Sequence, residues 1–144
     1  MISSENLDNQ DKKRRLLEIG NFSADRLADW CLAVLDSIRD AILVVNDSAI
    51  IQYVNPAYTR ITGIPENRAV GSKLLEVHPD AELLKVMQAG KPKLATIKFF
   101  CNIDIVSDLI PIVIAGTIVG GVTIFRQIED IDRLSEEIKY YKQI

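Results

Sequence analysis

Apolar residues recur along this chain with two different periods. From Leu27 the spacing is helical: Leu27, Cys31, Val34 and Ile38 stand 4-3-4 apart, and Trp30 and Leu35 widen the stripe. Ser23 precedes the run as an N-cap, with Arg26 where a capping box carries Glu. This predicts an amphipathic helix over 24–36 whose apolar face covers a sheet or a partner chain. From Ala41 the residues become β-prone. Ala41–Val45 and Ile50–Val54 flank Asn46-Asp47-Ser48, which is turn chemistry, and together they predict a hairpin. Asn55-Pro56 then switches the chain into a helix, with Asn as cap and Pro at the first helical position. That helix carries Tyr58 and Ile61 and stops at Gly63, and a further short turn runs from Pro65 to about Gly71.

The second half alternates again. A helix is expected over Ala81–Ala89, with Asp80 as its cap, Gly90 past its end, and Leu83, Leu84 and Met87 as its buried face. Strands follow at Leu94–Phe100, Ile103–Ile112 and Thr117–Arg126. Leu109 to Phe125 is a run of 17 uncharged residues, slightly short for a bilayer span of ~20. Its two β-branched blocks around Ala115-Gly116 predict a hairpin instead. Strand alternation places Ile118, Val122 and Ile124 on one face of the last strand and Val119, Thr123 and Phe125 on the other. Finally Ile131, Leu134, Ile138 and Tyr141 stand 3-4-3 apart, the seam of a coiled coil. The expected organisation is a polar tail over 1–23, the amphipathic helix over 24–36, a domain over 37–127 and the start of a signalling helix over 128–144.

Composition narrows the class. The 144 residues are 48% apolar and 26% charged, ordinary globular usage, with a formal charge of -3. No broad basic face argues for direct nucleic-acid contact. The knot Lys12-Lys13-Arg14-Arg15 lies among Asp8, Asp11 and Glu18 and reads as a solvated terminal helix. Cys31 and Cys101 lie 70 positions apart with no metal-ligand spacing, so they are expected to be free, buried thiols of a reducing cytosol. There is no secretory signal pattern at the N-terminus.

The element order and several local motifs resemble the PAS family. The resemblance runs from about Leu35 to Asp132. It rests on Asp36-Ser37-Ile38, on Ile51 through Asn55-Pro56-Ala57-Tyr58 to Thr62-Gly63, on Ile110-Pro111-Ile112, and on Val119-Gly120-Gly121-Val122 leading to Ile124-Phe125-Arg126. It implies an α+β PAS fold: a five-stranded antiparallel sheet with short helices on one face and flanking N- and C-terminal helices. A narrower resemblance is to the N-terminal PAS domains of bacterial sigma-54-dependent transcriptional activators, carried by Val77-His78-Pro79-Asp80-Ala81-Glu82-Leu83, Gly90-Lys91-Pro92 and the Leu134-Ser135-Glu136-Glu137 tail. This implies a cytoplasmic sensor that homodimerises through its N- and C-terminal helices, with ATPase and DNA-binding domains downstream in the same full-length chain and no nucleic-acid or membrane contact of its own. A sensor histidine kinase is the alternative host, and a dimerisation module without ligand the alternative role. Three departures stand out: Gln127-Ile128-Glu129-Asp130 replaces the family's Asp-Ile-Thr-Glu, Cys101-Asn102 replaces a Gly-containing turn and suggests a longer or irregular hairpin, and Ala115 replaces Asp or Asn before Gly116.

Candidate chemistry is sparse. No phosphate-binding loop or nucleophile elbow occurs, and no enzymatic activity is expected. His78, the sole histidine, precedes Pro79 instead of sitting within a helix, so a packing or capping role is expected in place of haem ligation. No Asn-Cys-Arg motif surrounds either cysteine, which argues against flavin photochemistry. Asp104 and Asp108 read as solvated carboxylates on one strand face, and no metal or other cofactor is expected. What remains is a pocket between sheet and short helices for a small cytosolic ligand, with Tyr58, Met87, Phe99, Ser107 and Thr123 as its lining and His78 at its rim. The competing reading is that Tyr58, Met87 and Phe99 fill a solid core.

Overall fold

In a computed structural model, the structure describes residues 4–18 and 23–128. The chain divides into two compact units, Met1–Ser37 and Ile38–Ile144. The first holds α1 (Ser4–Glu18) and α2 (Ala24–Ser37). The lead expected as a polar tail is therefore a helix over most of its length. Its basic knot is solvated, with Arg14 3.2 Å from Asp11 and 4.0 Å from Glu18. Ser23 caps α2 as expected, its Oγ accepting from the Arg26 amide at 3.3 Å. No residue of α2 is buried.

The second unit is a five-stranded sheet carrying short helices. Its elements are β1 (Ala41–Asn46), β2 (Ile51–Val54), α3 (Pro56–Thr62), α4 (Glu66–Ala69), α5 (Leu74–Val77), α6 (Leu83–Ala89), β3 (Lys93–Phe100), β4 (Ile103–Ile114) and β5 (Thr117–Gln127). The strand order is β2-β1-β5-β4-β3, with every neighbouring pair antiparallel. Bringing β5 beside β1 forces the intervening helices to cross one face of the sheet. The core lies there, built from Leu43, Val45, Tyr58, Leu83, Ile105 and Phe125 among others. The uncharged stretch from Leu109 to Phe125 is the β4–β5 hairpin. Among the described residues no helix is long and apolar enough to cross a membrane.

Local chemistry explains the corners. Asn46 Oδ1 accepts from the amides of Ser48 and Ile50, both at 3.0 Å, and so closes the β1–β2 turn. Cys101 and Asn102 both take positive φ, 51° and 65°, and join β3 to β4 in a tight two-residue turn. That hairpin is thus neither long nor irregular, because two positive-φ residues give the turn a twist that matches the right-handed twist of the strands it joins. Both cysteines are exposed, which corrects the expectation of buried thiols. α6 begins two residues later than the expected Ala81, at Leu83. Asp80 does not cap it: Glu82 stands at the cap position, and the turn before it is closed by Ala81 N–H on the His78 carbonyl at 3.1 Å. Its buried face is Leu83, Val86 and Met87, with Val86 in place of the expected Leu84.

Two bulges set which side chains face the core. In β4–β5, Ile112 pairs with Gly120 but Val113 with Ile118, so Val119 is an extra residue. The insertion reverses the alternation below it. Ile118 packs against the core on the side of Thr123 and Phe125, opposite to the face expected from strict alternation with Val122 and Ile124. In β3 the irregularity falls between Lys93 and Thr96, where Ala95 has φ 53°. Its amide donates to Asp108 Oδ1 at 2.8 Å. Asp108 is therefore a half-buried bulge acceptor, while Asp104 remains a solvated carboxylate.

Candidate functional site

The site is organised by Asn55. This residue is 1% exposed and has all its polar atoms engaged. Its Oδ1 accepts from the amides of Ile42 at 2.9 Å and Tyr58 at 3.1 Å, and its Nδ2 donates to the carbonyls of Asp40 at 2.9 Å and Ile38 at 3.3 Å. One amide thus ties the start of β1 to the first turn of α3 and fixes the direction in which Tyr58 enters the core. The Tyr58 ring is fully buried, and its hydroxyl meets His78 Nε2 at 2.6 Å.

His78 closes α5, its amide donating to the Leu74 carbonyl at 2.7 Å. The imidazole lies 4.5 Å from the ring of Phe100, which meets Phe125 edge-on at 5.3 Å, and Phe125 meets Tyr58 at 6.3 Å. Four rings from α3, the α5 end, β3 and β5 therefore form one cluster. Burial, and secondarily the charge of Lys98, push the His78 imidazole down to about 4, so it is neutral at physiological pH. Burial raises the Tyr58 phenol well above its ordinary value. The pair is a neutral hydrogen bond in an apolar surround.

Beside this cluster lies a cavity of about 40 Å³ between α5, α6, β3, β4 and β5. Its walls include Leu43, Leu74, Leu83, Ile105, Leu109 and Phe125. Polar groups come from His78, Glu82, Thr96, Lys98, Ser107 and Thr123. Ser107 Oγ donates to the Thr96 carbonyl at 3.3 Å. The segment between α5 and α6 is tied to β3 twice. Lys98 Nζ donates to the Asp80 carbonyl, and Lys93 Nζ pairs with Glu82 Oε2 at 2.8 Å. That pairing holds the Glu82 carboxyl below its usual range. Among the described residues no group of three or more His, Cys, Asp or Glu is placed to hold a metal ion.

Of the residues expected at the site, His78, Ser107 and Thr123 line the cavity. Tyr58 stands behind His78 and reaches it only through the shared hydrogen bond. Met87 does not line it. Its thioether packs over Gly121 of β5. Phe99 is on the opposite face of the sheet and 66% exposed, and Phe100 occupies the place expected for it. The tight Cys101–Asn102 turn decides this: it pairs Phe100 with Ile103 and Phe99 with Asp104, so Phe100 shares the core face with Ile105 and Ser107. Sequence reasoning also missed Thr96 and Lys98. Their even spacing with Phe100 on one strand was the available signal.

The family model for the PAS fold matches residues 32–101. A protein of Halalkalibacterium halodurans named "Probable C4-dicarboxylate sensor kinase" is 32% identical over 121 residues, 82% of this chain. The chain spans only 23% of that relative's length. Among solved structures, a PAS domain from Colwellia psychrerythraea is similar with a TM-score of 0.55 at 18% identity, covering 70% of this chain and 96% of that one. The structure of the E. coli DhaR(N)-DhaL complex contains a chain similar with a TM-score of 0.61 at 17% identity, covering 84% of this chain and 38% of that one. At these identities the structural likeness speaks for the fold alone.

Proposed function

This chain contains a PAS domain, and on that premise we propose that it is a ligand-sensing module of a bacterial signalling protein, not itself an enzyme. A small cytosolic molecule occupies the cavity beside His78 and shifts the population of two arrangements of a homodimer. The cavity between α5, α6 and the sheet carries this reading. It is mostly apolar, opens toward polar groups on one side and abuts a buried ring cluster that joins four elements. A ligand there touches the sheet and the helices together, so its binding energy is available to change how they pack. In this reading the dimer is held by the N- and C-terminal helices. Exposed Leu32 and Val34 on α2 support the first of these, while the seam expected over 128–144 lies outside the described residues apart from Ile128.

The host is a separate matter. A sigma-54-dependent activator is what the sequence resemblance implies. The relative named as a sensor kinase, alike over 82% of this chain, favours the kinase host. Both hosts require the same thing of this domain.

Native mass spectrometry of the full chain, followed by thermal denaturation against a metabolite library, tests the sensing role. A dimer with retained or titratable small-molecule mass, and a melting temperature that rises with ligand concentration, is the expected result. A dimer that no metabolite stabilises overturns sensing and leaves the purely structural role.

A further inference from the structure

Between Glu82 and Asp104 the chain carries four lysines, Lys85, Lys91, Lys93 and Lys98, and no carboxylate, although its net charge is -3. Lys98 lines the cavity and Lys93 meets its rim only through Glu82, and their situations differ. Lys93 is matched by Glu82 at 2.8 Å. Lys98 lines the cavity itself, and its Nζ donates to a neutral acceptor, the Asp80 carbonyl. Among the described residues no carboxylate lies within ion-pair distance of Lys98. Glu82 lines the same cavity and feels the charge of Lys98, but its carboxylate is paired with Lys93, so two lysines share one carboxylate at this rim and an added anion is favoured there.

Of the other polar groups there, the Glu82 carboxylate is committed to Lys93, and the rest are donors or amphoteric. Among the described residues the hydroxyls of Thr96 and Thr123 have no hydrogen-bond partner. His78 Nε2 is taken by Tyr58, which leaves Nδ1 for a ligand. The remaining wall, Leu43, Leu74, Leu83, Ile105, Leu109 and Phe125, offers nothing to a second charge.

Resting on the cavity being the ligand site, we infer that its ligand is a small monocarboxylate. The carboxylate binds Lys98 Nζ, with His78 Nδ1 and the threonine hydroxyls completing its shell, and a short alkyl body enters the apolar end. At about 40 Å³ the cavity is close to the share of one water at ~30 Å³, so it restricts the ligand to a small acid, and even two or three carbons enter only as surrounding side chains move. A dicarboxylate of similar length would press its second charge against leucine and phenylalanine. Capturing the carboxylate also draws Lys98 from the Asp80 carbonyl, which releases one of the two ties between β3 and the segment leading into α6. Neutral His78 adds a hydrogen bond to this shell and no charge.

The test is amide-resolved NMR titration of the full 144-residue chain, in a buffer free of carboxylates, with sodium propionate, propionamide and disodium succinate. Expected are propionate shifts at Thr96, Ser107 and Thr123, propionamide at least about tenfold weaker, and a loss of about tenfold or more in Lys98→Met, as a charge-assisted hydrogen bond requires. Lys98→Gln serves if the first variant does not fold. Equal binding of propionamide, or unaltered affinity in both lysine variants, overturns the carboxylate assignment and leaves the cavity as the ligand site. Tighter binding of succinate overturns the single charge. If no probe shifts those residues while a metabolite mixture still raises the melting temperature, the class is wrong and sensing stands. If the mixture is also inert, both readings fall.

Discussion

The Tyr58 hydroxyl and His78 Nε2 lie 2.6 Å apart, joining two residues that are 20 positions apart in sequence and both almost fully buried. Tyr58→Phe therefore leaves a buried imidazole nitrogen unpaired and is expected to cost about 1–3 kcal/mol in urea denaturation. His78→Leu removes the orphan as well. The double variant should be less destabilised than the sum of the singles, and strict additivity would show that the pair is not coupled.

The same burial makes stability depend on pH. His78 has a folded-state value of about 4 against an ordinary 6.5. Between these values the unfolded chain binds a proton that the folded chain does not, so stability rises with pH across the interval. The contribution is complete above about pH 6.5 and is lost as pH falls toward 4. His78→Gln cannot titrate, so the difference in melting temperature between wild type and this variant should change between pH 7 and pH 5. A constant difference would mean the imidazole is not held neutral.

How far this domain was legible in its sequence follows from the kind of signal each part leaves. Asn55-Pro56, Gly63 and Gly90 are local cap chemistry, and each sits where that chemistry demands. Asn55 accepts from the Tyr58 amide, and both glycines take left-handed φ at helix ends. The β4–β5 hairpin was equally plain from its β-branched blocks. What failed was parity. The extra Val119 reverses the facing of Ile118 without any change in composition, and Phe99 and Phe100 are chemically identical neighbours that only a turn register can tell apart. The Tyr58–His78 bond and the meeting of Lys98 and Glu82 at one cavity are tertiary facts, made by elements that the sequence shows separately.

That parity can be checked directly. Phe100 contacts the rings of His78 and Phe125, and Phe100→Ala should cost about 2–4 kcal/mol. Phe99 is exposed on the other face, and Phe99→Ser should change stability by less than about 0.5 kcal/mol. Chemical denaturation of the two variants side by side reads the outcome. Equal losses would place both rings in packed surroundings and contradict the register set by Cys101–Asn102.

Gly120 and Gly121 are adjacent and both buried, yet they should respond differently to the same added methyl group. At Gly120 a Cβ would fall inside contact distance of the Val45 carbonyl oxygen, on the strand that pairs directly with it. Backbone cannot yield there without breaking the β1–β5 ladder, so Gly120→Ala should cost more than about 2 kcal/mol. At Gly121 a Cβ would meet Met87 Sδ at 2.9 Å and Leu83 Cδ1 at 3.0 Å, both ends of side chains. Methionine can move, so Gly121→Ala should be milder, about 1–2 kcal/mol. Shortening the neighbour separates the two cases further: Met87→Ala should lessen the cost of Gly121→Ala and leave that of Gly120→Ala unchanged. Thermal denaturation of the three variants and of the two combinations with Met87→Ala measures this. A Met87→Ala background that relieves Gly120→Ala equally would show that α6, and not the β1–β5 pairing, sets the limit at both positions.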